Sequence, residues 1–303
     1  MDVPVPSVAV PSDAPALPPA AKRPVRARPG ERHIRSRAVT VLAAALLALP
    51  VGAAVAGPFL ADAVAGPDGP PYALGDGHLL GTDGLGRDVL GLLLRGGPST
   101  LGVACGAVAL ACLLGAALGL AAATTPRRWV DEALVRPVEL ILPLPSLLVI
   151  SVVGVRWHAT PLAIALAVAV LNVPAVTRLV RAAALTAAGG PVAEAMRVQG
   201  ESRLRVTLGY VGRSVLPVMA ADIGTRVAGA VFTVAAANFL GLGLEPTSAD
   251  WGVTVAANRQ ALLVQPWAVC APAAMLVLFT VGFNLLADSL LGRRGTRKRK
   301  VAG

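Results

Sequence analysis

Six stretches of this chain contain almost no charged residue. They cover residues 38–61, 96–126, 140–155, 157–177, about 216–244 and 260–287. An apolar helix needs about 20 residues to cross the hydrocarbon core of a bilayer. Hydrophobic residues make up 55% of the chain and charged residues only 15%, which is too little polar surface for a water-soluble domain of this size. Because no strand-like alternation competes, the sequence predicts an all-α membrane protein with about six transmembrane helices.

Three of these stretches depart from a simple apolar helix. The third is short and is interrupted by Pro143 and Pro145, so we expect its helix to begin nearer Arg136. The fifth carries Asp222 and Arg226 before a clean apolar run over 227–244. The first resembles a secretory signal peptide in having basic residues before an apolar run. We interpret it as a retained span, because 37 residues precede it and its apolar run exceeds 20 residues.

Basic residues are concentrated between alternate spans. If the N-terminus is cytoplasmic, 22 of the 27 Lys and Arg residues fall on the cytoplasmic side. Because such an excess marks cytoplasmic loops, we predict a multi-pass protein of the cell membrane with both termini in the cytoplasm. Residues 1–37 are predicted to be a disordered, basic and proline-rich tail, and residues 293–303 a second basic tail. The net charge of +10 does not indicate a nucleic-acid partner, because no aromatic residues are interleaved with the basic ones.

The segment "PVAEAMRVQGESRLRV", residues 191–206, is rich in charge for a chain of this composition. Ala195, Met196 and Gln199 are helix formers, and Gly200 is a natural helix stop. The segment lies between the fourth and fifth spans, on the predicted cytoplasmic side. Two interpretations remain open from the residues alone: a short surface helix that docks into a groove on a cytoplasmic partner, or an amphipathic loop that only supplies positive charge.

Three blocks of sequence resemble the second permease of the dipeptide/oligopeptide/nickel importer family of ABC transporters. The first is "HLLGTDGLGRDVL" at residues 78–90, similar to the family's H-x-x-G-T-D-x-x-G-R-D segment. The second joins "VTRLVRAAAL" to "VAEAMRVQGESRLRV", similar to its R-L-V-R and E-A-A-x-x-x-G loop. The third comprises "NFLGLGLEPTSADWG", "QPWAVCAP" and "FNLLADSL". The blocks occur in the family's order over roughly residues 37–292.

The resemblance implies a bundle like that of type I ABC importer permeases. It places the transmembrane permease domain at residues 38–292, its core at about 96–292, and a loop that contacts an ATPase at about 182–214. The implied coupling residues are Glu194, Ala195, Met196, Gly200, Arg203 and Arg205. The implied partners are a second homologous permease in a heterodimer, two ATPase subunits and an extracytoplasmic substrate-binding protein. The solute would be a peptide or a related small solute such as nickel.

The chain itself contains no G-x-x-x-x-G-K-[ST] phosphate-binding loop. We therefore expect a transport subunit rather than an enzyme, with no catalytic residue, no bound cofactor and no metal site, and with ATP and Mg on the partner ATPases. The alternative is a self-contained ion-coupled secondary transporter. Such a protein would need acidic residues in the middle of the membrane, and these are scarce here.

The outer block contains six residues that match the family motif. They are Gly81, Thr82, Asp83, Gly86, Arg87 and Asp88. Two aspartates flank Arg87, which indicates either local ion pairing in a turn or an outer collar that meets the binding protein or the sister permease; we favour an architectural role. We interpret His78 and His158 as solvated loop residues.

Asp222 and Arg226 are the most unusual pair in the apolar stretches. A charged side chain at the centre of a span costs about 2.5–3.5 kcal/mol on insertion scales. The spacing of four residues, with the acid first, favours an ion pair on one helix face. Because Pro217 lies within two turns, we place the pair near the inner end of the span. It is either a neutralised pair inside the bundle or a polar lining of the translocation path.

Several features depart from the family pattern. Met196 stands where the family has its second alanine, and Val234 where a glutamate is frequent. The stretch from Gly200 to Pro217 is about one helical turn longer than in the family, with the extra residues near Gly209–Gly212.

Overall fold

A computed structural model describes residues 29–75, 77–157 and 160–301, and the side chains of residues 38–75, 77–157 and 160–289. The α-helices of the described residues are α1 (Pro29–Val64), α2 (Val89–Thr124), α3 (Arg128–Glu139), α4 (Ser146–Arg156), α5 (Pro161–Ala188), α6 (Pro191–Val198), α7 (Arg213–Phe239), α8 (Trp251–Asn258) and α9 (Trp267–Val301). A π-helical segment (Arg205–Gly212) leads into α7, and a 3₁₀ turn (Arg259–Ala261) follows α8. The only β-type pairing in these ranges is two isolated bridges.

Five of the described helices are long and apolar enough to cross a membrane. They are Ala38–Val64, Val89–Thr124, Pro161–Ala188, Arg205–Phe239 and Trp267–Ser289. Large apolar side chains stand out from them; Phe59, Leu113 and Phe232 are each at least 70% exposed. Water would not tolerate so much apolar surface, whereas lipid does. These observations confirm the predicted all-α membrane class.

The third predicted span has a different structure from the expected one. Helix α3 ends at Glu139, and α4 begins only at Ser146 and has 11 residues. At 1.5 Å per residue α4 is about 16 Å long, roughly half of the 30 Å hydrocarbon core. The expectation of one helix starting near Arg136 is wrong. Pro143 and Pro145 lie in the intervening turn, and proline disfavours the helical conformation of the residue before it.

The helix boundaries also differ from the predicted tails. Helix α1 begins at Pro29, so the backbone of residues 29–37 is helical, while the rest of the predicted N-terminal tail, residues 1–28, lies outside the described residues. Helix α9 continues to Val301, through most of the predicted C-terminal tail at 293–303.

The core is built around α2, which packs most extensively against α5. Glycines bring these helices together: a Cβ at Gly115 would lie 2.6 Å from Val176, and one at Gly119 would lie 2.8 Å from a backbone oxygen of Thr177. Close approach through small residues is the usual way in which helices pack in lipid. The main apolar cluster joins α2, α5, α7 and α9, and a second one lies beneath α6 and the π-helical segment.

Candidate functional site

Helix α6 lies in the segment that the sequence predicted as a short helix stopped by glycine, and the structure confirms both features. The helix ends at Val198, and Gly200 has a φ of +79°. The backbone N–H of Glu201 donates to the carbonyl of Met196 at 3.0 Å, and that of Gly200 donates to Arg197 at 3.1 Å. This pair of hydrogen bonds is a Schellman motif, whose left-handed position favours glycine.

The two faces of α6 have different environments. Ala193 is fully buried against the second apolar cluster, and Met196 packs partly against it. Arg197 also points back toward the protein, because its guanidinium donates to the carbonyl of Ala188 at the end of α5, at 2.9 Å. The opposite face carries Glu194, Ala195 and Val198, which are exposed. The residues predicted to couple to an ATPase are therefore not equivalent: Met196 faces inward, whereas Glu194 and Ala195 form part of the exposed surface.

The chain continues from α6 into a helix that begins earlier than predicted. Arg203 and Arg205 are both exposed, and Arg205 forms an ion pair with Glu201 at 3.0 Å. The π-helical segment Arg205–Gly212 then runs directly into α7. It contains Gly209–Gly212, where the extra residues relative to the family pattern were placed. A π-turn accommodates added residues in a helix by widening it, so the added length does not break the fifth span.

Helix α3 braces the end of α5 that leads to α6. The Arg181 guanidinium donates to both carboxylate oxygens of Asp131, at 2.8 and 2.5 Å, and Arg178 pairs with Glu139 at 2.9 Å. The hydrogen bond from Arg181 lowers the pKa of Asp131 below its ordinary value. From the sequence these arginines were known as part of the basic cytoplasmic excess and of the R-L-V-R motif, without their acidic partners. The partners lie about 40–50 positions apart, so no local spacing reveals them.

The outer loop at residues 78–90 forms a closed hydrogen-bonded turn. The carboxylate of Asp83 accepts two hydrogen bonds from the guanidinium of Arg87, at 2.7 and 2.9 Å. It accepts two more from backbone N–H groups. Thr82 donates to the carbonyl of Pro70 at 2.6 Å. Gly81 and Gly86 both have positive φ. The predicted local ion pairing is thus confirmed for Asp83 and Arg87.

His78 and Asp88 behave differently from their predicted roles. His78 is only 8% exposed, and its Nδ1 lies 2.8 Å from Oδ2 of Asp88. The interpretation of His78 as a solvated residue is wrong, because its ring packs closely against the backbone at Gly66 and Gly69. Asp88 does not pair with Arg87; its other oxygen accepts from the N–H of Gly91 and caps α2. His158 lies outside the described residues.

The outer loop is held against the segment that surrounds α8. Arg87 donates to the carbonyl of Thr247 at 2.6 Å, and the N–H of Gly84 donates to Asn258 at 3.1 Å. Gln265 donates to the carbonyl of Leu80 at 2.9 Å. These bonds span 160 to 185 positions of sequence. They support the architectural role that we favoured for this loop.

Asp250 is a buried acid that the sequence analysis did not single out. It is 1% exposed and receives hydrogen bonds from Thr100 at 2.6 Å, from Asn238 at 2.9 Å, from the N–H of Gly252 at 2.8 Å and from Ser99. Its carboxylate therefore ties the N-terminus of α8 to α2 and α7. Its position before Trp-Gly at a helix start is an N-cap signal, but the distant partners could not be read from spacing.

Asp222 and Arg226 form the predicted ion pair, through Nε of Arg226 and Oδ2 of Asp222. Both side chains are partly shielded, with 14% of Arg226 and 27% of Asp222 exposed. Along the long helix Arg205–Phe239, the pair lies at the midpoint. Its place near the inner end of the membrane span stays a prediction. Val234, which replaces the family's frequent glutamate, is buried in the main core cluster.

Among the described residues, no group of three or more His, Cys, Asp or Glu side chains is placed to hold a metal ion. The features found in the described residues are apolar packing, ion pairs with hydrogen bonds, and an exposed helix face. Two of these features stand out: the exposed face of α6, and the outer loop that is hydrogen-bonded to the segment around α8.

Sequence comparison matches residues 115–300 to the family described as "Binding-protein-dependent transport system inner membrane component". The di/tripeptide transport system permease protein DppC of Pseudomonas aeruginosa is 32% identical over 228 residues, covering 73% of this chain and 74% of that protein. The oligopeptide transport system permease protein OppC of Mycobacterium tuberculosis is 30% identical over 277 residues, covering 86% and 90%. The probable D,D-dipeptide transport system permease protein DdpC of Escherichia coli is 30% identical over 221 residues, covering 73% of each chain. This chain therefore belongs to the family of inner membrane permease components of binding-protein-dependent transport systems.

Proposed function

We propose that this chain forms one half of the translocation path of a peptide importer. A second, homologous permease would supply the other half, two ATPase subunits would bind on the cytoplasmic side, and an external binding protein would deliver the solute. Transport would follow alternating access, in which closure of the ATPases moves the docked α6 and switches the bundle between inward-facing and outward-facing states.

The exposed face of α6 is the observation that carries the coupling part of this proposal. Glu194, Ala195 and Val198 point away from the protein, and Val198 is 83% exposed. An apolar side chain beside a carboxylate on a short helix suits a groove on a partner protein. On the inward face, Ala193 and Arg197 hold the helix against the protein. A partner that displaces α6 would therefore also displace α5.

Peptides are the solute class that the relatives favour. The relatives described above are named for transport of D,D-dipeptides, di- and tripeptides, and oligopeptides. We therefore propose a short peptide or a related small solute as the cargo, selected mainly by the binding protein.

Affinity purification of the full-length chain from its native membrane tests this proposal. We expect it to bring down an ATPase that carries a phosphate-binding loop, together with a second permease. The binding protein encoded with these subunits should then stimulate ATP hydrolysis when it is loaded with short peptides. Recovery of the chain alone, with solute uptake that follows an ion gradient in the absence of ATP, would contradict the proposal.

A further inference from the structure

A cleft of about 560 Å³ lies between the inward side of α6 and the start of the long helix Arg205–Phe239. Its lining residues are Met196, Arg205, Gly209, Tyr210, Arg213 and Ser214. Most of them come from the π-helical segment and the first turn of α7. The widened turn thus forms one wall of the cleft, and Met196 on α6 forms the other.

The charge of the cleft is positive and incompletely neutralised. Arg213 is exposed and forms no side-chain hydrogen bond or ion pair with any described residue. Arg205 pairs with Glu201, but 70% of its side chain is exposed, and an exposed pair of this kind contributes little and exchanges readily. The hydroxyl of Tyr210 likewise has no partner among the described residues. Two guanidinium groups and a hydroxyl around one cleft are donors suited to the oxygens of a phosphate group.

The surroundings of the cleft indicate where such a phosphate would come from. Leu204, Leu208 and Leu216 flank the lining residues along the same stretch and are 60–72% exposed. Arg213 is the last basic residue before the predicted span at about 216–244. Basic residues at this point of a membrane helix lie at the level of the lipid headgroups, with the adjacent apolar side chains against the acyl chains.

We propose that this cleft binds the phosphate of an anionic phospholipid headgroup, with the exposed leucines contacting its acyl chains. Arg213 provides the main contact, and Arg205 a second one that competes with Glu201. The site lies on the inward side of α6, away from the face formed by Glu194, Ala195 and Val198. Lipid can therefore occupy it while α6 is bound to a partner, and the inference does not depend on which solute is transported.

The test uses the full-length chain purified in detergent with whatever subunits accompany it. Phosphatidylglycerol, phosphatidylcholine or inorganic phosphate is titrated separately, and bound molecules are counted by native mass spectrometry. Each basic residue near an anionic lipid surface contributes about 1 kcal/mol, which is roughly fivefold in affinity. We expect phosphatidylglycerol to bind in preference to phosphatidylcholine, Arg213→Gln to weaken its binding about fivefold, and Arg213→Lys to recover most of the loss.

Arg203→Gln is the matched control. Arg203 is exposed and close in sequence but does not line the cleft, so its substitution should leave retention of phosphatidylglycerol within twofold of wild type. Equal loss in both glutamine variants would contradict the proposal, because it would reflect net charge alone. Equally tight binding of inorganic phosphate would overturn the lipid assignment in favour of a soluble phosphate. Unchanged lipid binding with loss of a co-purified ATPase in Arg213→Gln would overturn it in favour of a protein contact.

Discussion

Two kinds of polar contact stand out among the described side chains, namely pairs four positions apart and contacts between distant parts of the chain. Asp83 with Arg87 and Asp222 with Arg226 are pairs four residues apart. Asp250, in contrast, receives donors from residues about 150 positions away. The first kind depends on the short spacing along the chain, whereas the second exists only once α2, α7 and α8 have packed.

Replacement of Asp250 tests the contacts between distant parts of the chain. Asp250→Ala leaves the buried amide of Asn238 without its acceptor and leaves Thr100 only a long hydrogen bond to the carbonyl of Gly96, at 3.4 Å. An unsatisfied buried group costs about 1–3 kcal/mol. We expect lower abundance in the membrane and a lower melting temperature in detergent. Glu245→Gln, at an exposed position of the same loop, is the control and should match wild type. An Asp250→Ala protein as stable as wild type would show that the cluster does not hold α8.

Replacement of Asp222 and Arg226 tests the contacts between residues four positions apart. Asp222→Asn or Arg226→Gln alone leaves one partly shielded charge at the midpoint of the helix, which can cost several kcal/mol. We expect each single variant to lower abundance, and the double variant to recover much of the loss. A double variant that is stable but does not transport would indicate that the pair lines the path. Wild-type behaviour of all three would contradict any buried role.

Local spacing in the sequence was enough to predict both of these pairs, and the glycine stop of α6. It was not enough to place His78 or to find Asp250, because their environment comes from chain segments that the sequence does not bring together. The start of the helix that carries Asp222 was not predicted either, since the π-helical segment extends this helix by about two turns before Pro217.

At the scale of elements, α6 is a short helix whose end is set by backbone geometry and whose inner face is anchored. Eight residues are too few for a stable isolated helix, so its form depends on the buried Ala193, on the bond from Arg197 to α5 and on the Schellman turn at Gly200. The helix is therefore a rigid part of the bundle that presents one exposed face.

Substitution of Gly200 tests whether that rigidity couples the chain to its ATPase. Gly200→Leu forces a branched side chain into the left-handed region at a cost of about 1–2 kcal/mol, while no other atom lies within 4 Å of a Cβ built there. We expect the protein to insert normally but to lose peptide-stimulated ATP hydrolysis. Gly200→Asn, which tolerates the left-handed conformation, should retain most of it. Peptide-stimulated ATP hydrolysis at the wild-type rate in both variants, at wild-type abundance, would exclude a role for the turn.

For the whole molecule, the short helix α4 decides the path of the chain through the membrane. The sequence predicted six spans, whereas five of the described helices are long enough and α4 has 11 residues. The predicted orientation requires a crossing between α3 and α5. The turn with Pro143 and Pro145 and helix α4 together would have to make it, with α4 packed against α5 and α7.

Reporter fusions decide this path. Fusions after Pro70, Arg128, Trp157, Gly190 and Asp250, and at the C-terminus, should report outside, inside, outside, inside, outside and inside. The reason is the concentration of basic residues on alternate sides. An inside signal at Trp157 would show that α4 returns to the side it came from. An inside signal at Asp250 would contradict the orientation as a whole.

Site-specific cross-linking from α6 most directly tests the central claim, that the exposed face of this helix binds an ATPase. In a full-length chain with Cys105, Cys112 and Cys270 replaced, single cysteines would be introduced as Ala195→Cys on the outward face and Met196→Cys on the inward face. A short thiol cross-linker is then added to native membranes. We expect a cross-link to an ATPase from position 195 and none from position 196. No ATPase cross-link from position 195, or an equal one from both positions, would contradict it.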